Sequence, residues 1–373
     1  FEAEKHVPVP ASYNDLYAEE GFRMWKDGMW YQREFAVPKT LQGERLVLRF
    51  GAVAYRARVF VNGREVGSHE GGHLPFECEV TDVVSWDYPN LLCVRCENRL
   101  SATTVPMGEL RNAGENGQFA GQYPDVPFDF FPYAGIQRDV CLYTTPKAAY
   151  LESVRVTTAV GADGVATVTI AGRVVGVSEN LIVDVRCHSR QTHRHYDAYD
   201  GGHGNVSVSG NFTADIRIPD AELWGVFQPN LYDAEILLYD GGGVVDAYEQ
   251  RFGIRTIRVT GNRLLLNGKP VYLQGFGRHE DFPIIGRGLC HAANVRDHEL
   301  LKWVNANSYR TTHYPYSEEL VRLADEQGIL LIAEAPAVSV NFDHLQDEGV
   351  RRELYDRHAT MLKELIDRDF NAP

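Results

Sequence analysis

"NSYRTTHYPYSEELVRLADEQGILLIAE", residues 307–334, decides the fold of the C-terminal third. "SYRTT" reads as a strand that Pro315 brings to a stop. Ser317 then offers a helix N-cap, Glu318 and Glu319 favour the positive start of that helix, and Gly328 is a helix stop. "ILLIAE" is apolar, as a strand inside a parallel sheet should be. Upstream, Asn267-Gly268 reads as a hairpin turn and "VYLQG" (271–275) as a short strand. "NVRDHELLKWVNAN" (294–307) reads as a helix with Val295, Leu300 and Val304 at helical spacing. Downstream, Val350, Leu354, Met361, Leu365 and Ile366 share one face of a long helix. The order is β-α-β-α-β-α, which implies right-handed parallel units. Such units open a (β/α)8 TIM barrel, which needs about 250 residues. Residues 256–373 supply fewer than half of those, so the chain is expected to stop inside a domain, with the far side of "ILLIAE" open.

Everything before residue 256 reads as strands. In "ERLVLRF", Leu46, Leu48 and Phe50 alternate onto one face. "ARVFVNGREVG" is a hairpin in which Asn62-Gly63 takes the positive φ angles of a two-residue turn. "FECEV" and "LLCVRCE" continue the pattern, and no segment has a helical period. Residues 1–146 are therefore expected to form a β jelly-roll sandwich. Residues 147–255 carry "SVRVTTAV", "VATVTI", "LIVDVRC", "AEILLY" and "AYEQRFGI" between turns such as "GADG" and "DGGG". They are expected to form an immunoglobulin-like β-sandwich, without the Cys…Trp…Cys spacing of antibody domains.

Composition narrows the function. The chain has 373 residues, 37 basic and 51 acidic, for a formal net charge of −14. An acidic surface of that size argues against nucleic acid or an anionic membrane as partner. No apolar run reaches the roughly 18 residues that span a bilayer. The opening "FEAEKHVPVP" has neither a signal-peptide pattern nor an initiator methionine, so the N-terminus reads as truncated. It leaves localisation unknown, cytoplasmic if the source is bacterial.

No metal or cofactor site is expected. Cys93 and Cys96 have zinc-like spacing, but in a strand positions three apart face opposite sides. "HEGGH" (69–73) matches a zinc signature that requires a helix, yet it holds two glycines and follows a hairpin. "THRHYD" could set His193 and His195 on one face of a strand without an evident partner, and an exposed loop is the favoured reading. There is no nucleophile elbow, phosphate loop or dinucleotide fingerprint.

Chemistry in parallel barrels gathers at the C-terminal ends of the strands. Here each such end is polar: Arg278, His279, Glu280 and Asp281 at the first, Arg310 and His313 at the second, Glu334 at the third. Tyr314 and Tyr316 add flat faces with a hydroxyl, suited to a hydroxylated ligand. The competing reading is structural, with Arg310 paired to an acid below the strand ends and His313 packed.

The run from Asn307 to Ile332 resembles, without a gap, the long signature of glycoside hydrolase family 2. "GFGRHED" (275–281), "FDFFPYAGIQRDVCLYTTP" (128–146) and "VPASYND" (9–15) resemble its β-glucuronidase branch more than its β-galactosidases. The resemblance covers essentially the whole chain. It implies a sugar-binding jelly roll, an immunoglobulin-like sandwich and a catalytic barrel, in that order. It implies a retaining exo-glycosidase acting on β-D-glucuronides, with a carbohydrate substrate and dimers or tetramers. The alternatives are a β-galactosidase or β-galacturonidase of the same family, or a non-catalytic carbohydrate-binding protein. By resemblance Asp129 and His313 bind sugar hydroxyls, and His279, Arg310 and Glu334 lie at the pocket rim. Both catalytic glutamates, and the Asn-x-Lys element for a uronate carboxylate, are expected after Pro373, so no catalytic residue is assigned in this chain. Between Val338 and Asp347 it is short, where some relatives carry a long loop over the pocket.

Overall fold

The computed structural model describes residues 5–17, 19–25, 27–108, 126, 128–176, 180–197, 204–205, 210–340 and 347–373. The short segment expected between Val338 and Asp347 falls partly outside them, since residues 341–346 are not described.

The first region is two facing antiparallel sheets. One orders Gly28–Phe35, Asn90–Glu97, Arg56–Val61 and Arg64–Glu70, and the other orders Phe76–Glu79, Arg45–Phe50 and Val140–Thr145. Leu46, Leu48 and Phe50 meet Val59, Val61, Val94 and Cys96 in the core between them. The hairpin turns at Asn62 (φ 53°) and Gly63 (φ 81°), as the Asn-Gly pair requires. Cys96 is buried with its thiol donating to the Ala54 carbonyl, while Cys93 lies half-buried. One turn of helix, Glu20–Arg23, interrupts a region that shows no helical period.

The second region pairs the sheet Ala149–Val160, Ala166–Gly176 and Asn211–Ile218 with one built on Leu181–Ser189, Leu231–Asp240 and Gly243–Gly253. Their inward residues form one core around Ile170, Ile216, Ile236 and Phe252. His195 does not lie in a loop: His195–Asp197 pairs with Leu181–Ser189, His195 opposite His188. His193 sits in the preceding turn at φ 57°, so the two histidines do not share a strand.

The third region holds the parallel unit: β1 (Gly275–Arg278), α1 (His291–Trp303), β2 (Ser308–Thr311), α2 (Glu318–Gln327), β3 (Leu330–Ile332) and α3 (Glu348–Asp369). β2 lies between β1 and β3, parallel to both, with Gly275 opposite Ser308 and Ser308 opposite Leu330. Ser317 accepts from the Leu320 amide, and Gly328 ends α2 at φ 66°, both as expected from sequence. A Cβ at Gly328 would lie 2.5 Å from the Gly225 carbonyl, so this glycine also lets the second region approach.

Three expectations shift. The first parallel strand is Gly275–Arg278, not 271–275. Pairing selects it: a Cβ at Gly275 would fall 1.7 Å from the Ser308 carbonyl oxygen, so only glycine admits β2 there. Helix α1 starts at His291 and buries Asn294, His298 and Leu301, leaving Val295, Leu300 and Val304 largely exposed. The buried face is polar because it serves a network. Asn294 accepts from Arg278 (2.8 Å), and the His298 ring meets the Tyr309 hydroxyl (3.0 Å). On α3, Leu354, Met361 and Leu365 are buried as expected, but Ile366 is exposed.

Burial and the nearby Arg278 charge push the His298 imidazole down to about 4. The unfolded chain then binds the proton more tightly, so this histidine's contribution is complete above the usual histidine range and is lost as pH falls toward 4. Thermal melts between pH 7.5 and 4 should show a loss of roughly 1–3 kcal/mol that His298→Gln largely removes. Equal slopes for the two proteins would refute the assignment.

Candidate active site

Two short patterns, one in each of two domains, present the polar groups. In the loop 128–131, Phe128 and Phe130 are buried and stacked on each other (4.3 Å), while Asp129 between them is exposed. At the end of β2, Thr311, Thr312, Tyr314, Pro315, Tyr316 and Ser317 are all buried, and His313 alone is partly open. The two patterns meet. Ligand atoms of Asp129, His279 and His313 all lie within 4.8 Å of one another. Phe130 is the hinge of the contact, with its ring 6.2 Å from that of His313 and 5.8 Å from that of His279.

Glu334, just past β3, closes the far side. Its amide donates to Thr311 Oγ1 (3.1 Å), one carboxylate oxygen meets His313 Nδ1 (3.0 Å), and the other takes Arg310 Nε (2.8 Å). Arg310 therefore pairs with an acid at the strand ends rather than below them, while His313 keeps an open edge. His279 has its pKa lowered, by partial burial first and by neighbouring His313 second. A neutral imidazole there can donate from one nitrogen and accept at the other.

Tyr314 and Tyr316 are not ligand platforms. Both are fully buried. The Tyr314 hydroxyl accepts from the Glu280 amide (2.9 Å), and the Tyr316 hydroxyl donates to the Arg278 carbonyl. Glu280 is also buried, which raises its pKa despite Arg138 and Arg278. Asp281 stays exposed and accepts from Tyr133 (3.0 Å).

Sequence reading missed Arg287. It is buried, with its guanidinium carbon 3.9 Å from the Tyr314 ring centre and 5.2 Å from that of Phe130. It also donates to the Phe131 carbonyl (3.3 Å) and the Tyr55 hydroxyl (3.4 Å). Nothing in "PIIGRGLC" marks this residue, because its partners come from residues 55, 130 and 314. A separate cavity of about 510 Å³ lies between Glu70, Gly71, Val105 and α3, and none of the site residues lines it.

Against this geometry, the chain matches three consecutive descriptions: "Glycosyl hydrolases family 2, sugar binding domain" over residues 6–146, "Glycosyl hydrolases family 2" over 149–255, and "Glycosyl hydrolases family 2, TIM barrel domain" over 257–373. The chain belongs to glycoside hydrolase family 2. Its sugar-binding, immunoglobulin-like and TIM-barrel domains are present in the expected order. The chain is 37% identical to a β-glucuronidase of Paenibacillus borealis, across 98% of this chain and 60% of the relative. It is 35% identical to the β-glucuronidase of Mus musculus, across 98% of this chain and 56% of that one. The chain thus spans less than two thirds of the relatives it matches. Among solved structures, the β-glucuronidase of Bifidobacterium dentium complexed with coumarin-3-O-glucuronide superposes with a TM-score of 0.88 at 36% identity, over 98% of this chain and 61% of that one. That of Ruminococcus gnavus in complex with D-glucuronic acid gives 0.81 at 34%, over 98% and 59%.

If Arg287 ties the Asp129 loop to the strand ends, Arg287→Met should cost about 3 kcal/mol. Amide exchange across residues 128–134 should quicken about tenfold or more, because opening a local unit follows its local stability. Unchanged exchange and an unchanged melt would show that the loop is held without it.

Proposed function

We propose that this chain carries the sugar-recognising side of the active site of a retaining β-glucuronidase. The assembled enzyme hydrolyses β-D-glucuronides to glucuronate and an alcohol or phenol. The observation that carries the reading is the meeting of Asp129, from one domain, with His279 and His313, from another. Relatives of this chain are β-glucuronidases, and two solved ones hold a glucuronide or glucuronic acid.

In this reading Asp129 accepts hydrogen bonds from two sugar hydroxyls. His313, held at Nδ1 by Glu334, offers its other nitrogen to a third hydroxyl. His279 and Arg310 shape the rim. Glu334 is a positioning residue rather than the proton donor. A general acid needs a raised pKa and a free proton aimed at the leaving oxygen, whereas this carboxylate already holds His313 and Arg310. Glu280 is too deeply buried to reach a substrate. No residue of this chain is assigned as the acid/base or the nucleophile glutamate, which stand about 5 Å apart in retaining enzymes.

The finer architecture belongs to the same proposal: a jelly roll over residues 1–146, an immunoglobulin-like sandwich over 147–255, and the first three βα units of a (β/α)8 barrel over 256–373. The parallel order of β1, β2 and β3 supports the last. By the family resemblance the enzyme is a dimer or tetramer.

The test compares this chain with a full-length form on chromogenic phenyl β-D-glucuronide and β-D-galactoside. The full-length form should prefer the glucuronide by about a hundredfold or more, since a site built for a polar group rejects the analogue without it. This chain should release no phenol. Asp129→Ala and His313→Ala in the full-length form should each lower kcat/KM about ten- to a hundredfold, the value of one or two hydrogen bonds to substrate. A preference for the galactoside, or full activity in both variants, would overturn the reading.

A further inference from the structure

Asp129, His279 and His313 also make a set of ligand atoms. Among the described residues they are the one group of three or more His, Cys, Asp or Glu side chains whose ligand atoms all lie within 4.8 Å of one another. A tetrahedral ion with bonds of about 2.0–2.1 Å holds its ligand atoms roughly 3.3 Å apart. Closing to that spacing takes side-chain rotation. Asp129 is exposed and free to turn, and the His279 ring, open on one side, turns beside Phe130 and His313. Three protein ligands leave a fourth position for water, as in open zinc sites.

The group behind His313 completes the argument. Metal-bound imidazole usually passes its other ring N–H to a carboxylate, which fixes the tautomer and strengthens the ligand. Glu334 stands 3.0 Å from His313 Nδ1, which leaves Nε2 as the ring nitrogen for an ion. Two imidazoles and one carboxylate suit zinc, copper or nickel, whereas magnesium and calcium prefer oxygen ligands throughout. Sequence motifs could not reveal the set, because residues 129, 279 and 313 come from separate loops of two domains.

We propose that Asp129, His279 and His313 form a reversible binding site for a divalent transition ion of the zinc class, which competes with the sugar for the same side chains. Metal binding stands on the geometry alone, and only the competition rests on the sugar-binding reading above.

The test titrates this 373-residue chain with zinc chloride by calorimetry, and with cobalt(II) by its visible absorption, using magnesium as the control ion. One zinc per chain is expected, with no magnesium binding at the same concentrations. His279→Ala should weaken zinc at least about tenfold, and its exposed position leaves the melt unchanged. Glu334→Ala should weaken zinc by about ten- to a hundredfold and alter the cobalt spectrum, since loss of a carboxylate behind a ligating histidine has that effect. The double variant His188→Ala/His195→Ala, which removes a second neighbouring histidine pair among the described residues, should bind zinc as the parent does. Zinc affinity untouched by His279→Ala, or lost only with His188 and His195, overturns the site. D-Glucuronate should weaken zinc binding. Should zinc depend on His279 yet ignore D-glucuronate, the metal site stands and the competition falls, while the sugar-binding reading is decided by Asp129→Ala and His313→Ala in the full-length form. Should D-glucuronate bind through Asp129 while zinc does not, the metal site falls and the sugar-binding reading stands.

Discussion

The burial of Arg287 between two domains is the constraint on which the site depends. Its guanidinium lies against Tyr314 of the parallel unit, and the same group donates to Tyr55 and Phe131 of the first sandwich. Backbone bonds lace the surrounding segment in place. Ser12 donates to the Ile285 carbonyl (2.9 Å), Leu289 to the Gln137 carbonyl (2.8 Å), and the Arg287 amide to Ser12 Oγ (3.0 Å). Below them one apolar core takes Tyr55, Leu100, Phe128 and Phe130 from the first region and Leu301, Tyr309, Tyr314, Tyr316 and Leu320 from the third. Domains usually meet across modest, polar faces that permit relative motion. These two share a core, so packing sets how the backbones that carry Asp129 and His313 stand to each other.

That rigidity uses buried charge. Arg138 is buried and donates to the carbonyls of His73 (2.6 Å) and Pro315 (2.7 Å), one in each domain. Burial pulls its pKa down to about 10. Glu280 lies 4.0 Å from both Arg138 and Arg278, close enough for attraction and too far for hydrogen bonds. Taking such groups out of water costs several kcal/mol per ion, and loose pairs recover only part of it. Apolar residues could fill the same volume at less cost, but they would not demand particular carbonyl partners. The arginines favour one docking geometry over others that bury similar area, and a site split between domains requires that selectivity.

Much of the fold could be read from the chain because it is written locally. The Asn62-Gly63 turn, the Ser317 cap and the Gly328 stop each follow from a few adjacent residues. Expectations shifted where a distant partner decided. β1 forms at "GFGR" rather than at the more apolar "VYLQG" because β2 must approach within reach of a glycine. Helix α1 turns Asn294 and His298 inward because Arg278 and Tyr309 await them. The strand Asn211–Ile218 went unread although Phe212, Ala214, Ile216 and Ile218 alternate with exposed polar residues, as a half-buried strand requires. At the site, the polar strand ends pointed to His279, Arg310, His313 and Glu334. Asp129 emerged only through family resemblance, since nothing around "FDFF" says which strand ends it will face. The tyrosines were misjudged for a related reason: their hydroxyls are satisfied by carbonyl and amide groups brought in by tertiary packing.

The two halves of the site use the same device. Asp129 stands between buried Phe128 and Phe130, and His313 between buried Thr312 and Tyr314. The chain bends at residues 128–130 and turns at Thr312 and His313, so no strand pleat sets these directions. With the flanking residues buried in the core, the middle side chain is the more open one of each triplet. Phe130 belongs to one triplet and packs on the rings of His313 and Tyr314 from the other, so each anchor also braces its neighbour. A polar group held this way keeps its hydrogen-bonding capacity for a ligand, because the aromatic flanks rather than the polar atom fix its position. Glu334 adds a direct restraint on His313 Nδ1, and ligand atoms of Asp129, His279 and His313 lie within 4.8 Å of one another. The first sandwich is therefore part of the site's construction: without its aromatic pair, the strand ends of the parallel unit would present histidines with no carboxylate opposite them.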